Sequence, residues 1–152
     1  MGSTKSTSFA VGHIIAERYE LTQLLGQGSL AHLFEAYDRV IDRTVAIKFL
    51  GLERFQQSTQ DLDAMIERFR REAQLAAKIE HQNVIQIFDF GNLPGVSAEP
   101  YMVMEKLTGH DLHTQIQNFG PMTPERLLPL FLDVLDALGK AHEMGIVHKD
   151  LK

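Results

Sequence analysis

Thr44-Val45-Ala46-Ile47-Lys48-Phe49-Leu50 carries one charged residue inside an otherwise apolar, β-branched run. The run reads as a strand, with Val45, Ile47 and Phe49 on one side and Ala46, Lys48 and Leu50 on the other. A buried ammonium is costly without an anion, so Lys48 asks for a carboxylate or a phosphate. The plainer alternative is an edge-strand lysine reaching solvent. Upstream, Arg18 to Leu25 and Leu33 to Tyr37 read as two further strands, and the connection Gly26-Gln27-Gly28-Ser29-Leu30-Ala31 makes them a hairpin. Glycines at that turn let backbone N–H groups approach an anion with no Cβ in the way, although a Gly-x-Gly by itself is equally a simple turn.

Downstream, the hydrophobic period lengthens. Leu62, Met65, Ile66, Phe69, Ala73, Ala76 and Ile79 recur at three- and four-residue steps, so Asp61 to Glu80 is predicted to be an amphipathic helix. Glu72 projects from the same stripe, and a carboxylate on a packed face is explained by a waiting cation. Lys48 is that cation, unless Glu72 is a boundary residue paired with Arg68. Val84 to Phe90 and Pro100 to Met104 read as two more strands around the turn Asn92-Leu93-Pro94-Gly95. A short helix over Asp111 to Asn118 follows. Thr123-Pro124-Glu125 then opens a long helix with apolar Leu127, Phe131, Val134, Leu135, Leu138 and Ala141, and Pro129 is expected to cost a hydrogen bond or bend its start. Three strands, a helix, two strands and then helices make an α+β order.

The remaining pieces fall into a known order. His148-Lys149-Asp150-Leu151-Lys152 resembles the catalytic loop of protein kinases, and Tyr101 to Leu107, with Gly109 and Asp111-Leu112, resembles their hinge. Arg70-Arg71-Glu72-Ala73 followed by His81-Gln82-Asn83-Val84, the lysine strand and the glycine loop resemble the same family. The segment from Asp38-Arg39 to Asp42-Arg43-Thr44 is similar to bacterial members of the serine/threonine group. The resemblance runs from about Arg18 to the end. It implies a five-stranded antiparallel small lobe with one major helix over residues 18–107, the start of a large lobe over 108–152, and a disordered tail over 1–17.

The resemblance also implies roles. Gly26, Gln27, Gly28 and Ser29 would cover ATP, with Leu33 and Ala46 packing on adenine. Lys48, positioned by Glu72, would hold the α- and β-phosphates. Met104 would be the gatekeeper, the backbones of Glu105 and Leu107 would bond adenine, and Asp111 would approach the ribose. Asp150 would accept the proton of a substrate hydroxyl, and Lys152 would neutralise the transferring phosphoryl group. Two departures stand out: Ala31 occupies the third glycine position, and Lys149 replaces an arginine whose bidentate fork lysine lacks. The Mg2+ ligands of the family lie beyond Lys152, so these 152 residues by themselves are expected not to catalyse. A non-catalytic half-kinase that binds nucleotide or a protein partner is the alternative.

Composition narrows the rest. A formal charge of −5 without a basic cluster argues against nucleic acid, and no cysteine is present to bind zinc or form a disulfide. No apolar run suggests a membrane span, and a cytoplasmic location is the expectation. Met1 to Ser6 fits the N-myristoylation pattern literally, but the same residues also compose an ordinary polar tail. His110 and His113 lack the further ligands of a metal site, and substrate identity is not written in this stretch.

Overall fold

The computed structural model describes residues 9–28, 31–51, 59–93, 99–149 and 151. Ser29, Asp150 and Lys152 lie outside the described residues, as do the first eight positions that carry the acylation pattern. The chain divides into two compact units. One runs to Ala77 and resumes over Gln86–Lys106; the other comprises Lys78–Ile85 and the chain from Leu107 onward.

The first unit is a six-stranded antiparallel sheet with a helix. Its strands are β1 (Ile14–Ile15), β2 (Tyr19–Gln27), β3 (Ala31–Asp38), β4 (Arg43–Leu50), β5 (Ile87–Asn92) and β6 (Pro100–Glu105), in the spatial order β1-β2-β3-β4-β6-β5. The helix α1 spans Thr59–Ala76. Alternation along the strands assigns two faces. Tyr19, Leu21, Phe34, Ala36, Val45, Ile47, Phe49, Tyr101 and Val103 are buried in one core. The opposite face carries Leu33, Lys48 and Met102 in one cross-strand row and Glu35, Ala46 and Met104 in the next. On that face Phe69 of α1 meets Phe90 of β5, with ring centroids 5.8 Å apart.

Two expectations are corrected. The sheet has six strands, because residues 9–17 are not a free tail. Phe9 is buried and stacks on Phe49 with centroids 4.2 Å apart, while Ile15 pairs with Tyr19 and is buried beside it. Apolar burial at these two side chains holds a segment that was expected to be part of a disordered tail. The small unit also does not run unbroken through 18–107, since Lys78–Ile85 belongs to the other unit. There Asn83 donates from Nδ2 to the Asp133 carbonyl at 3.3 Å, and the His81 ring lies 3.0 Å from the Asp136 carboxylate.

An ion network that periodicity did not reveal pins the start of β2 to the end of β3. Arg18 donates from Nε and Nη2 to the two oxygens of Asp38 at 2.8 and 2.7 Å, and Tyr19 donates its hydroxyl to Asp89 at 3.0 Å. Asp38 is fully buried. Its carboxyl is held below the usual range, first by the Arg18 hydrogen bonds, against the opposing effect of burial. Burial, then the Asp89 bond, pushes the Tyr19 phenol up. Gly91 is required for packing, because a Cβ there would stand 2.5 Å from the Tyr101 hydroxyl oxygen.

In the second unit, α2 (Leu112–Phe119) is capped by the Asp111 carboxylate, which accepts from the Thr114 N–H at 2.7 Å. The helix α3 (Pro124–Glu143) runs unbroken through Pro129. The proline sits early enough that the carbonyl it leaves without an N–H partner is that of Glu125, in the first turn.

Candidate functional site

Lys48 lies on β4, which is flanked by β3 and β6, so it is not on an edge strand. Its Nζ is 2.7 Å from Oε1 of Glu72, and that ammonium also stands 5.6 Å from the Phe69 ring centroid. The strand–helix pair expected from the sequence therefore forms, and Arg68 is not the partner. The setting differs from the expectation in one respect. Glu72 is not on a packed face: its side chain is 58% exposed, and that of Lys48 is 31% exposed. A pair this open to water contributes on the order of 1 kcal/mol or less. Its consequence is geometric, since it holds the ammonium at a fixed place on the sheet.

Around the ammonium the sheet supplies two different surfaces. Leu33 is the β3 neighbour of Lys48, and Ala46 and Met104 form an adjoining row. Both Ala46 and Met104 are buried. On the α1 side a cavity of about 520 Å³ is lined by Ala31, Lys48, Leu50, Met65, Phe69 and Glu72, among others. An apolar slot thus continues through a cation into an open hollow.

The glycine connection is formed as a hairpin end. Gly26 pairs with Leu33 and Gln27 with His32, a register irregularity falls between Leu24 and Gly26, and the Gly28 N–H donates to the Ala31 carbonyl at 2.8 Å. The bulge bends the strand at this end of the hairpin.

At the other end of β6, Glu105 is committed to Gln86. Its N–H donates to the Gln86 carbonyl at 2.9 Å, and its Oε1 accepts the Gln86 N–H at 2.7 Å. Leu107, 62% exposed, and Asp111 belong to the second unit, where the Asp111 carboxylate is engaged at the head of α2. Lys149 has a left-handed backbone (φ 64°) immediately before Asp150, a strained position of the kind that clusters at functional sites.

No three His, Cys, Asp or Glu side chains gather closely enough to hold an ion among the described residues. His110 instead bonds Gln115, at 2.6 Å. No helix among those residues is long and apolar enough to cross a membrane.

A charged pair beside the apolar row went unread. Lys106 Nζ is 3.2 Å from Glu35 Oε2. Its signal was present: Glu35 is two residues after Leu33 and Lys106 two after Met104, so alternation puts opposite charges on the same face.

Comparison with known proteins assigns the family. The chain belongs to the protein kinase domain family, which it matches over residues 19–152. Its relatives include the serine/threonine-protein kinase PksC of Streptomyces coelicolor, 43% identical over 141 residues, and PrkC of Bacillus subtilis, 36% identical over 142. These alignments cover 89% and 93% of this chain but only 24% and 21% of the relatives, so the chain spans about a quarter of their length or less. Among solved structures, "PpkA-294 apo form" superposes with a TM-score of 0.78 at 22% identity, over 97% of this chain and 56% of that one. A cysteine-to-alanine mutant of the Mycobacterium tuberculosis PknI kinase domain gives 0.75 at 22% identity, over 95% and 56%. Both carry the same fold.

Proposed function

We propose that this chain is the nucleotide-binding part of a serine/threonine protein kinase, which transfers the γ-phosphoryl group of ATP to protein hydroxyls. The observation that carries the reading is the 2.7 Å contact between Lys48, on an interior strand, and Glu72 of α1, with the apolar Leu33, Ala46 and Met104 beside it. In this reading the unit of the sheet and α1 acts as the small lobe, and the unit that holds Lys78–Ile85 and the chain from Leu107 onward begins the large one.

The face fits ATP chemically. Leu33 and Ala46 offer an apolar surface to the base, with Met104 as the gatekeeper behind it. The Glu105 and Leu107 backbones bond the adenine edge, and Asp111 serves the ribose. Gly26, Gln27, Gly28 and Ser29 cover the phosphates. Lys48 donates to the α- and β-phosphate oxygens, and Glu72 keeps that ammonium from swinging away. Asp150 takes the proton from the attacking hydroxyl. A bond forms from that oxygen to the γ-phosphorus while the β–γ bridge breaks, and ADP leaves. Lys152 offsets charge on the phosphoryl oxygens during transfer. The roles of Ser29, Leu107, Asp111, Asp150 and Lys152 rest on their motif positions. Mg2+ accompanies ATP in this family, but the described side chains offer no cluster to hold it. The use of ATP supports a cytoplasmic location for the domain, and the absence of cysteine is compatible with it.

Two variants separate binding from transfer. Replacing one charge-assisted contact costs about 1.5–3 kcal/mol, so Lys48→Met is expected to weaken ATP at least tenfold by titration calorimetry on this chain. In the whole protein, Asp150→Asn is expected to keep ATP affinity and abolish transfer of labelled γ-phosphate. Undiminished ATP affinity in Lys48→Met, or undiminished transfer in Asp150→Asn, would refute these assignments.

A further inference from the structure

Glu35 and Lys106 have no role in the chemistry above, yet they stand next to it. Glu35 pairs across the sheet with Ala46, and Ala46 with Met104, so the carboxylate shares the face given to adenine. Lys106 is the second residue after Met104. The ladder between β4 and β6 ends at the pair Val45–Glu105, so Lys106 is the first residue beyond it. Its ammonium reaches past β4 to the β3 carboxylate at 3.2 Å. Thr22 of β2 donates its hydroxyl to the other carboxylate oxygen at 3.1 Å, which turns Oε2 toward the lysine. On the opposite side Glu105 is tied twice to Gln86. The chain is therefore held from both sides just where it leaves the sheet.

We propose that Glu35 and Lys106 are positioning residues: their ion pair fixes the orientation of the Glu105 peptide and so sets the affinity for the adenine base. The inference rests on the nucleotide reading and deepens it. Hydrogen bonds from a rigid backbone to a base tolerate little displacement, whereas the phosphates are held by Lys48 on a separate part of the sheet. Breaking the pair costs base recognition and leaves phosphate recognition intact. Each of the two side chains is only 25% exposed, so the pair is partly shielded, and its loss is worth at most about 1 kcal/mol, or about fivefold in affinity.

The sign of the effect distinguishes positioning from simple charge. A mere electrostatic field would make Glu35→Gln tighten a polyanion and Lys106→Met loosen it. Positioning makes both variants weaker. The test measures binding of ATP and of inorganic tripolyphosphate, both with Mg2+, to this chain and its variants, with a melting curve for each. Glu35→Gln and Lys106→Met are each expected to weaken ATP by a factor of up to about five and leave tripolyphosphate unchanged. The charge-reversed double variant Glu35→Lys with Lys106→Glu is expected to restore ATP binding. ATP affinity unchanged in both single variants, opposite changes in the two, or equal losses for both ligands would each overturn the inference while leaving the nucleotide reading standing. A parent chain that binds tripolyphosphate no worse than ATP would overturn the nucleotide reading, and this inference with it.

Discussion

At the scale of single residues, the site and its support differ in how firmly they are fixed. The Lys48–Glu72 pair is open to water, but Asp38 is fully buried and accepts a two-pronged contact from Arg18, and its Oδ1 also accepts the Val40 N–H at 3.1 Å. Removing one partner of a buried pair strands the other charge, at a cost of about 3–5 kcal/mol. Because Arg18 retains some exposure, Asp38→Asn is expected to lose about 3 kcal/mol in urea titrations at neutral pH. The pH dependence follows from the lowered carboxyl of Asp38. A group whose folded value is depressed stabilises fully above its unfolded value, about 3.9, and loses that contribution as the pH falls through the folded value. The stability gap between parent and variant should therefore be constant above about pH 5 and narrow with acidification below it. A gap that stayed constant down to pH 2 would exclude the ion pair as its source.

The elements show which parts of the fold were legible and which were not. β4 announced itself through an apolar run around one lysine, and α1 through its three- and four-residue spacing. The strand–helix contact followed because Lys48 and Glu72 each lacked a local explanation. The N-terminal strap gave no such signal. β1 has two residues, and the turn into β2 uses Ala16 and Glu17 in left-handed backbone (φ 50° and 56°), closed by the Arg18 N–H on the Ile15 carbonyl at 3.0 Å. Consecutive left-handed turn residues are normally Asn and Gly, so the usual sequence sign of a hairpin was missing. Long-range burial of Phe9 and Ile15 outweighs the local strain, and no window of local pattern reports that. Glu35 and Lys106 stayed hidden for a related reason, being 71 residues apart by subtraction of their numbers. The strain is testable. Left-handed backbone costs about 1 kcal/mol or more per ordinary residue, so replacing Ala16 by Asn and Glu17 by Gly together is expected to stabilise the chain by about 1 kcal/mol. An unchanged or lowered melting temperature would mean that Phe9 and Ile15 do not depend on that turn.

Over the whole molecule, apolar surface is spread unevenly. The sheet unit buries nearly all the residues of the core, including five aromatic rings, Phe9, Tyr19, Phe34, Phe49 and Tyr101. In α3 only Ala137 and Ala141 are buried, while Leu128, Phe131, Leu132 and Leu135 are each more than half exposed. Stability follows burial, so the two units should not be equally protected. Amides of β3, β4 and β6 are expected to exchange with deuterium only by global unfolding, and those of α3 by local opening at rates orders of magnitude faster. Most of a helix's stability in a protein comes from tertiary packing of its apolar face, and the apolar residues of α3 gain little of it. Exposed apolar side chains grouped on one helix favour association. Leu128→Lys, Leu132→Glu and Leu135→Lys combined should therefore raise the concentration at which the chain precipitates and leave the melting of the sheet unit in place. If exchange proved uniform across both units, or the charged variant precipitated at the same concentration while β4 lost protection, α3 would have to be a cooperative part of the first core, and the exposure of its leucines would not describe the chain in solution.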